Sequence, residues 1–223
     1  MLLLGPAANA QAPVRTISVA GEGTITAAND TASLGFGVEG RGATRPVALR
    51  RSSARLRSVL AALRGLGVTD RDLRTRGVSV ARRHDRRGRK LPGYIARGGV
   101  TAVVRDVTQT GAVVDAAVAA GVASVDGPSF FIDDSQAVLR RALVAAFRDA
   151  RSKAAALAAE AGLTLGQTIS IRESTFVPFE TDFAGDDGGG GGGGGADQGR
   201  REAATEPGRT QVFGTVYVVF EAG

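Results

Sequence analysis

The chain has 223 residues, a net charge of +6 at pH 7 and a hydrophobic content of 43%. An apolar content near the globular average excludes wholesale disorder, and the length corresponds to one large domain or two small ones. The chain has no cysteine, which excludes disulfides, thiol nucleophiles and thiolate metal sites, and a single histidine excludes a multi-histidine metal site within one chain. The sequence contains no run of 18 apolar residues, so we predict no transmembrane segment.

The basic charge is carried almost wholly by arginine, because only Lys90 and Lys153 among the 28 basic residues are lysine. Together with the abundant glycine and alanine, this bias is typical of a GC-rich genome, so the charge alone does not indicate nucleic-acid binding. Aromatic residues make up 5% of the chain and tryptophan is absent, which is a poor composition for stacking bases. We therefore predict no nucleic-acid partner, no metal and no cofactor.

Residues 1–13 resemble the end of a secretory signal. A short apolar run at residues 2–4 precedes Ala8, Asn9 and Ala10, a small-x-small site with cleavage expected before Gln11. The alternative is an ordinary N-terminus without a signal. We interpret the segment as a signal-peptide remnant and expect an exported protein located in the periplasm or at the envelope.

Two strands with alternating polarity are predicted at residues 14–21 and 31–38, and Asn29-Asp30 between them predicts a hairpin. Residues 44–66 have helical spacing. The predicted apolar stripe of this helix contains Leu49, Ser53, Leu56, Val59, Leu60 and Leu63.

The rest of the chain alternates between strand and helix patterns. The predicted elements are strands at 73–81 and 94–104, a short helix at 111–120, a strand at 129–132, a long helix at 136–161, and strands at 167–172 and 212–220. Ile169 and Ile171 are expected to face the core. The last strand is apolar on both faces, which predicts a central position or one face covered by another subunit. The stripe of the long helix is Leu139, Leu143, Ala146, Ala150, Ala154, Leu157 and Ala161.

The resulting order is β-β-α-β-β-α-β-α-β-β. It predicts a single α+β domain over residues 14–223, in which two long helices and one short helix pack on a mostly antiparallel sheet. Residues 181–208 interrupt the pattern with eight consecutive glycines at 188–195. Glycine loses more conformational entropy on ordering than any other residue and has no side chain to make compensating contacts, so we predict a flexible insertion before the last strand.

A glycine pattern at Gly35, Gly37 and Gly40 matches the dinucleotide-binding motif G-x-G-x-x-G. Leu34, Phe36 and Val38 alternate through it, which favours a strand over the turn at a helix N-terminus that the chemistry requires. A nucleotide-dependent enzyme is therefore retained only as a residual alternative.

The most basic segment lies between the strands at 73–81 and 94–104. It offers six candidate anion-binding residues, which are Arg82, Arg83, Arg86, Arg87, Arg89 and Lys90. The alternative interpretation is a solvated hairpin tip. His84 lacks a suitably placed nucleophile and orienting carboxylate, so no catalytic residue is predicted.

A group of three phenylalanines and a pair of aspartates are further candidates for structural or surface contacts. Phe176, Phe179 and Phe183 precede the glycine run and are candidates for packing on the domain itself, for a subunit contact or for a membrane surface. The Asp133-Asp134 pair is expected to cap the long helix.

An ordered set of short motifs resembles the SIMPL-domain family, the group that includes bacterial periplasmic immunogenic proteins. The motifs begin with Ile17-x-Val-x-Gly-Glu-Gly23 and span roughly residues 15–172 plus the final strand. They continue with Gly67-Val68, Asp72-Leu73-x-Thr75, Gly93-Tyr94-x-Ala96, Val103, Asp106, Gly111, Asp115, Gly121, Phe130, Asp134, and Ala146, Ala150, Lys153-Ala154, Leu157-Ala158 and Gly162.

The resemblance implies an α+β fold, export, no established catalytic residues, a link to oxidative-stress tolerance, and assembly into homo-oligomers. The first hypothesis is therefore a non-enzymatic protein that acts at the cell envelope by self-association or partner binding. The alternative is a module that binds an anionic envelope component through the basic hairpin at residues 82–90.

Overall fold

The computed structural model describes residues 14–84, 87–174, 180–182 and 206–223. The residues outside these ranges include residues 1–13, Arg86, all three candidate contact phenylalanines (Phe176, Phe179 and Phe183) and most of the predicted insertion at 181–208. Predictions for these segments remain predictions.

The described residues form three α-helices and seven strands in the predicted order, together with one additional short strand. The strands are β1 Arg15–Ala28, β2 Thr31–Gly42, β3 Leu73–His84, β4 Lys90–Val104, β5 Ser124–Phe131, β6 Leu165–Ser174, β7 Glu180–Asp182 and β8 Arg209–Ala222. The helices are α1 Arg45–Gly65, α2 Thr110–Ala119 and α3 Ser135–Glu160, with 3₁₀ turns at Asp70–Asp72 and Val107–Gln109. The α+β class and the antiparallel pairing of strands are confirmed.

The strands form two four-stranded sheets, a division that the sequence pattern did not reveal. The first sheet has the order β1-β8-β6, with β7 also pairing with β8, and the second has the order β3-β4-β2-β5. The contacts divide the chain into a first unit of Met1–Ala27, Asp134–Glu180 and Gln211–Gly223 and a second unit of Ala28–Asp133 and Thr181–Thr210. The central position predicted for the last strand is confirmed, because β8 lies between β1 and β6.

The predicted hairpin at Asn29-Asp30 is wrong, because β1 and β2 belong to different sheets. Instead of closing a turn, the two residues bind other segments. The side chain of Asn29 donates to the Pro207 carbonyl at 2.7 Å and accepts from the Thr210 hydroxyl at 2.6 Å, and the Asp30 N–H donates to Phe131. Asn29 and Asp30 therefore lie where the chain leaves the first sheet and enters the second.

In the second unit, the core lies between the inner face of the second sheet and α1 and α2. Leu34, Phe36 and Val38 are essentially inaccessible to solvent, as their alternation predicts, and pack with Val59 and Leu63 of α1. The predicted stripe of α1 is wrong at Leu49, which is exposed. The helix instead presents Ala48 and Ser52 to β2, because Gly40 and Gly42 lack side chains and let the two backbones approach closely.

In the first unit, α3 packs on the sheet through alanine. Its buried line is Val138, Leu139, Ala142, Ala146, Ala150, Ala154 and Ala158. A Cβ added at Gly21 or Gly23 of β1 would lie 2.1 Å from the carbonyl oxygen of Ala146 or Ala142, so the helix touches the strand backbone there. The small alanine side chains of this face permit the close approach. Leu157, which the spacing assigns to the stripe, is 53% exposed because the buried line follows the alanines.

Candidate interaction surfaces

The basic hairpin joins β3 and β4 at one edge of the second sheet. His84 pairs with Lys90 in the register of the two strands, and β3 is exposed along nearly its whole length because it is the edge strand. Arg87 and Arg89 are exposed, but both take part in interactions and are not free groups. The described arginines of this segment are therefore accessible on the surface, although Arg83 is half-buried.

Two arginines contact the ring of Tyr94 at the base of this hairpin. The guanidinium carbon of Arg82 lies 5.3 Å from the ring centroid and that of Arg45, from the first turn of α1, lies 5.4 Å away. Cation–π contacts of this kind contribute about 0.5–1 kcal/mol each at exposed sites. Arg83 donates to the Pro92 carbonyl at 3.3 Å. These contacts fix the base of the hairpin and hold positive charge beside it.

A second polar cluster, which sequence reasoning missed, surrounds Asp72 at the start of β3. Asp72 is only 6% exposed and accepts hydrogen bonds from the Thr69 hydroxyl at 2.6 Å and from Arg105 at 2.9 Å. Arg105 also donates to Asp133, and the Asp133 N–H donates to Asp30. The hydrogen bond from Arg105 holds the pKa of Asp72 below its usual value. Since the cluster joins the ends of β3, β4 and β5, we expect it to stabilise the second unit.

An apolar groove of about 510 Å³ lies beside α3 in the first unit. Leu143, Val144 and Phe147 of α3 and Ile171 of β6 line it. The prediction that Ile169 and Ile171 face the core is wrong, since they are 53% and 56% exposed. The reason is geometric: α3 approaches the glycines of β1 and β8, whereas β6 lies at the end of the strand order and is covered only in part.

The glycine motif and the acidic pair both lie where the sequence predicts. Gly35, Gly37 and Gly40 lie inside β2, so the strand interpretation of the glycine motif is confirmed. The carboxylate of Asp134 accepts from the Ala137 N–H at 2.8 Å and caps α3, as predicted. No group of three or more histidine or acidic side chains that could hold a metal occurs in the described residues. Within those same ranges, no helix is both long and apolar enough to cross a membrane.

Comparison with known proteins agrees with these observations. The chain matches the SIMPL family, described as a protein of unknown function (DUF541), over residues 17–220. It is 31% identical over 169 residues to the 26 kDa periplasmic immunogenic protein of Brucella melitensis, covering 73% of this chain and 68% of that protein. The protein of the same name from Brucella abortus shows the same identity and coverage. The names of these relatives agree with the expected periplasmic or envelope location, and the family match covers both compact units: the chain belongs to the SIMPL family.

Proposed function

We propose that this protein is an exported, non-enzymatic SIMPL protein that acts at the cell envelope through self-association or through binding a partner. The observation that carries the proposal is the apolar surface around the groove of the first unit. Val144 and Ile171 line the groove and are each at least half exposed, and Leu157 of α3 and Ile169 of β6 are also exposed on the same two elements. Exposed apolar side chains beside a groove are typical of interaction sites. Within the described ranges β6 ends the first sheet, and its outer edge also offers backbone groups to a neighbouring strand.

We expect the full chain to self-associate, and we expect Ile171→Lys to shift the assembly toward the monomer, because a lysine in an apolar contact would be buried without a partner. Light scattering coupled to size-exclusion chromatography measures the mass. Val118→Lys is the matched control, since Val118 is 57% exposed on α2 in the second unit. A strictly monomeric wild type would contradict self-association, and equal masses for the two variants would remove the groove as its contact.

The resemblance also implies a link to oxidative-stress tolerance, which we include in the proposal. The chain has no cysteine and a single methionine. Such a role would therefore act through an assembly or a partner and not through thiol chemistry of the chain itself. The residual alternative, a nucleotide-dependent enzyme, loses its sequence support because the glycine motif lies in a strand.

A second candidate function is binding of an anionic envelope component by the basic hairpin. The observation that favours it is the exposure of this segment together with the two guanidinium groups at Tyr94. We expect binding to lipopolysaccharide or to vesicles containing anionic lipid to weaken when four hairpin residues are replaced by serine, because each loses a charge that attracts the anionic surface. These residues are Arg82, Arg83, Arg86 and Arg87.

The control for this test removes the same charge elsewhere on the surface. It replaces four exposed arginines outside the hairpin by serine, namely Arg50, Arg57, Arg141 and Arg172. A sedimentation or flotation assay with vesicles measures the bound fraction. If both variants bind as the wild type does, or weaken equally, the hairpin is not the binding site.

A further inference from the structure

The second sheet carries a concave, arginine-rich surface on the face turned away from α1. Its floor consists of glycine, since Gly37 pairs with Gly99 across β2 and β4, and Gly77 and Gly98 lie next to them. A cavity of about 560 Å³ opens above the strands, and the side chains of Ser124 and Arg76 lie close to Gly37 and Gly99 at its base. A second cavity of about 470 Å³ adjoins it and shares Glu39, Arg41 and Ala123 with it.

The edge of β2 between the two cavities has no strand partner on the β5 side. The pairing of β2 with β5 ends where Gly37 faces Ser124. Beyond that point, in the described part of the chain, side chains of α1 bind the carbonyl groups of β2 that a neighbouring strand would otherwise bind. Arg55 donates to the Glu39 carbonyl at 2.7 Å and Arg51 donates to the Arg41 carbonyl at 2.8 Å. The i, i+4 spacing of Arg51 and Arg55 on α1 aims both guanidiniums at the same edge.

The charge at these cavities is unbalanced. Five arginines line them, Arg41, Arg51, Arg55, Arg76 and Arg97, against two carboxylates, Glu39 and Asp126, which leaves an excess of three positive charges. Glu39 forms ion pairs with Arg97 at 2.8 Å and with Arg41 at 3.5 Å, and Asp126 forms an ion pair with Arg76 at 3.6 Å.

Arg51 and Arg55 have no carboxylate within 4 Å among the described residues, and each hydrogen-bonds to a neutral carbonyl through one nitrogen. A guanidinium has five N–H donors, so most donors of both groups stay unused by these bonds. Like charges held together repel each other unless an anion offsets them. A guanidinium fork also matches the geometry of phosphate and carboxylate groups.

We propose that the concave surface formed by Arg41, Arg51, Arg55 and Arg97 is a binding site for a small anion that carries at least two phosphate or carboxylate groups. This site is separate from the basic hairpin and does not depend on the proposed function. The cavity above the strands leaves room for the body of the ligand, while the arginines on either side of the β2 edge bind its charged groups.

Isothermal titration calorimetry of the full chain with tripolyphosphate, and separately with citrate, tests this site. We expect at least one anion to bind, with an affinity that falls as salt is added. The anion that binds more tightly identifies the group that the site recognises. We expect Arg51→Gln combined with Arg55→Gln to weaken this binding by about tenfold or more, because two charge-assisted donors are lost.

The matched control is Arg50→Gln combined with Arg57→Gln, which removes the same charge from other faces of α1 and should leave the affinity within about twofold, as expected for distant exposed charges. Arg51→Lys combined with Arg55→Lys keeps the charge and loses the fork, so it should also weaken binding even if the glutamine variant fails to fold. The serine variant of the hairpin should bind as the wild type does. Absence of binding by both anions, or equal weakening in the Arg51/Arg55 and Arg50/Arg57 variants, would overturn the proposal.

Discussion

We expect Gly23→Ala to lower the free energy of unfolding by about 3 kcal/mol or more, at the upper end of what overpacking costs. The added Cβ would lie 2.1 Å from the carbonyl oxygen of Ala142 and 2.6 Å from the backbone nitrogen of Ala146. Because both atoms belong to the backbone of α3, no side-chain rotation relieves the clash. The helix as a whole must move away from β1, and the contacts of the first unit loosen with it.

Urea unfolding followed by far-ultraviolet circular dichroism measures this loss. Gly111→Ala is the matched control, because a Cβ added at that position of α2 meets nothing within 4 Å. We expect the control to be neutral or to gain up to about 1 kcal/mol, since alanine is the better helix former. A Gly23→Ala protein as stable as this control would show that α3 does not rest on the strand backbone.

We expect Asp72→Asn to lower the free energy of unfolding at pH 7 by about 1.5–3 kcal/mol, the usual contribution of hydrogen bonds to a charged group. The substitution removes the buried carboxylate that Arg105 and Thr69 contact. Asp70→Asn is the control two residues away. Asp70 pairs with Arg64 at 2.7 Å but is 77% exposed, and exposed pairs contribute at most about 1 kcal/mol.

The effect of Asp72→Asn depends on pH in a defined direction. Arg105 holds the pKa of Asp72 below its usual value, so the folded state binds this proton less readily than the unfolded chain does. The stabilisation is therefore complete above about pH 4, the pKa of an aspartate in the unfolded chain. It is lost as the pH falls through the lower pKa that Asp72 has in the folded protein. Urea unfolding at neutral and at acidic pH should show the difference between wild type and Asp72→Asn shrinking on acidification. A difference that is independent of pH, or no larger than that of Asp70→Asn, would contradict this account.

The sequence predicted the elements well where the periodicity was complete. The alternation of Leu34, Phe36 and Val38 identified a strand with one buried face, and the structure places all three in the core. The helical spacing located α1 and α3 within about one residue at each end. These successes share a cause, since a repeat of two or about four residues depends only on local backbone geometry.

The candidate surfaces were predicted less completely. The basic hairpin is visible in the sequence as a run of charged residues. The arginine-rich surface around Glu39 is not, because Arg41 lies on β2, Arg97 on β4, and Arg51 and Arg55 on α1. The only local signal for that cluster is the i, i+4 spacing on α1. Register between β2 and β4, which pairs Glu39 with Arg97, is a long-range property that a single sequence does not display.

By itself, the sequence determined the α+β class, the order of the elements and the family. The tertiary structure alone decided how the strands divide into two sheets and where the buried faces of α1 and α3 depart from their predicted apolar stripes. The reason is packing at glycine: α1 and α3 turn their small residues toward glycines of β1 and β2, where backbones can touch. The larger Leu49 and Leu157 are thereby turned to solvent, although size and hydrophobicity assign them to the core.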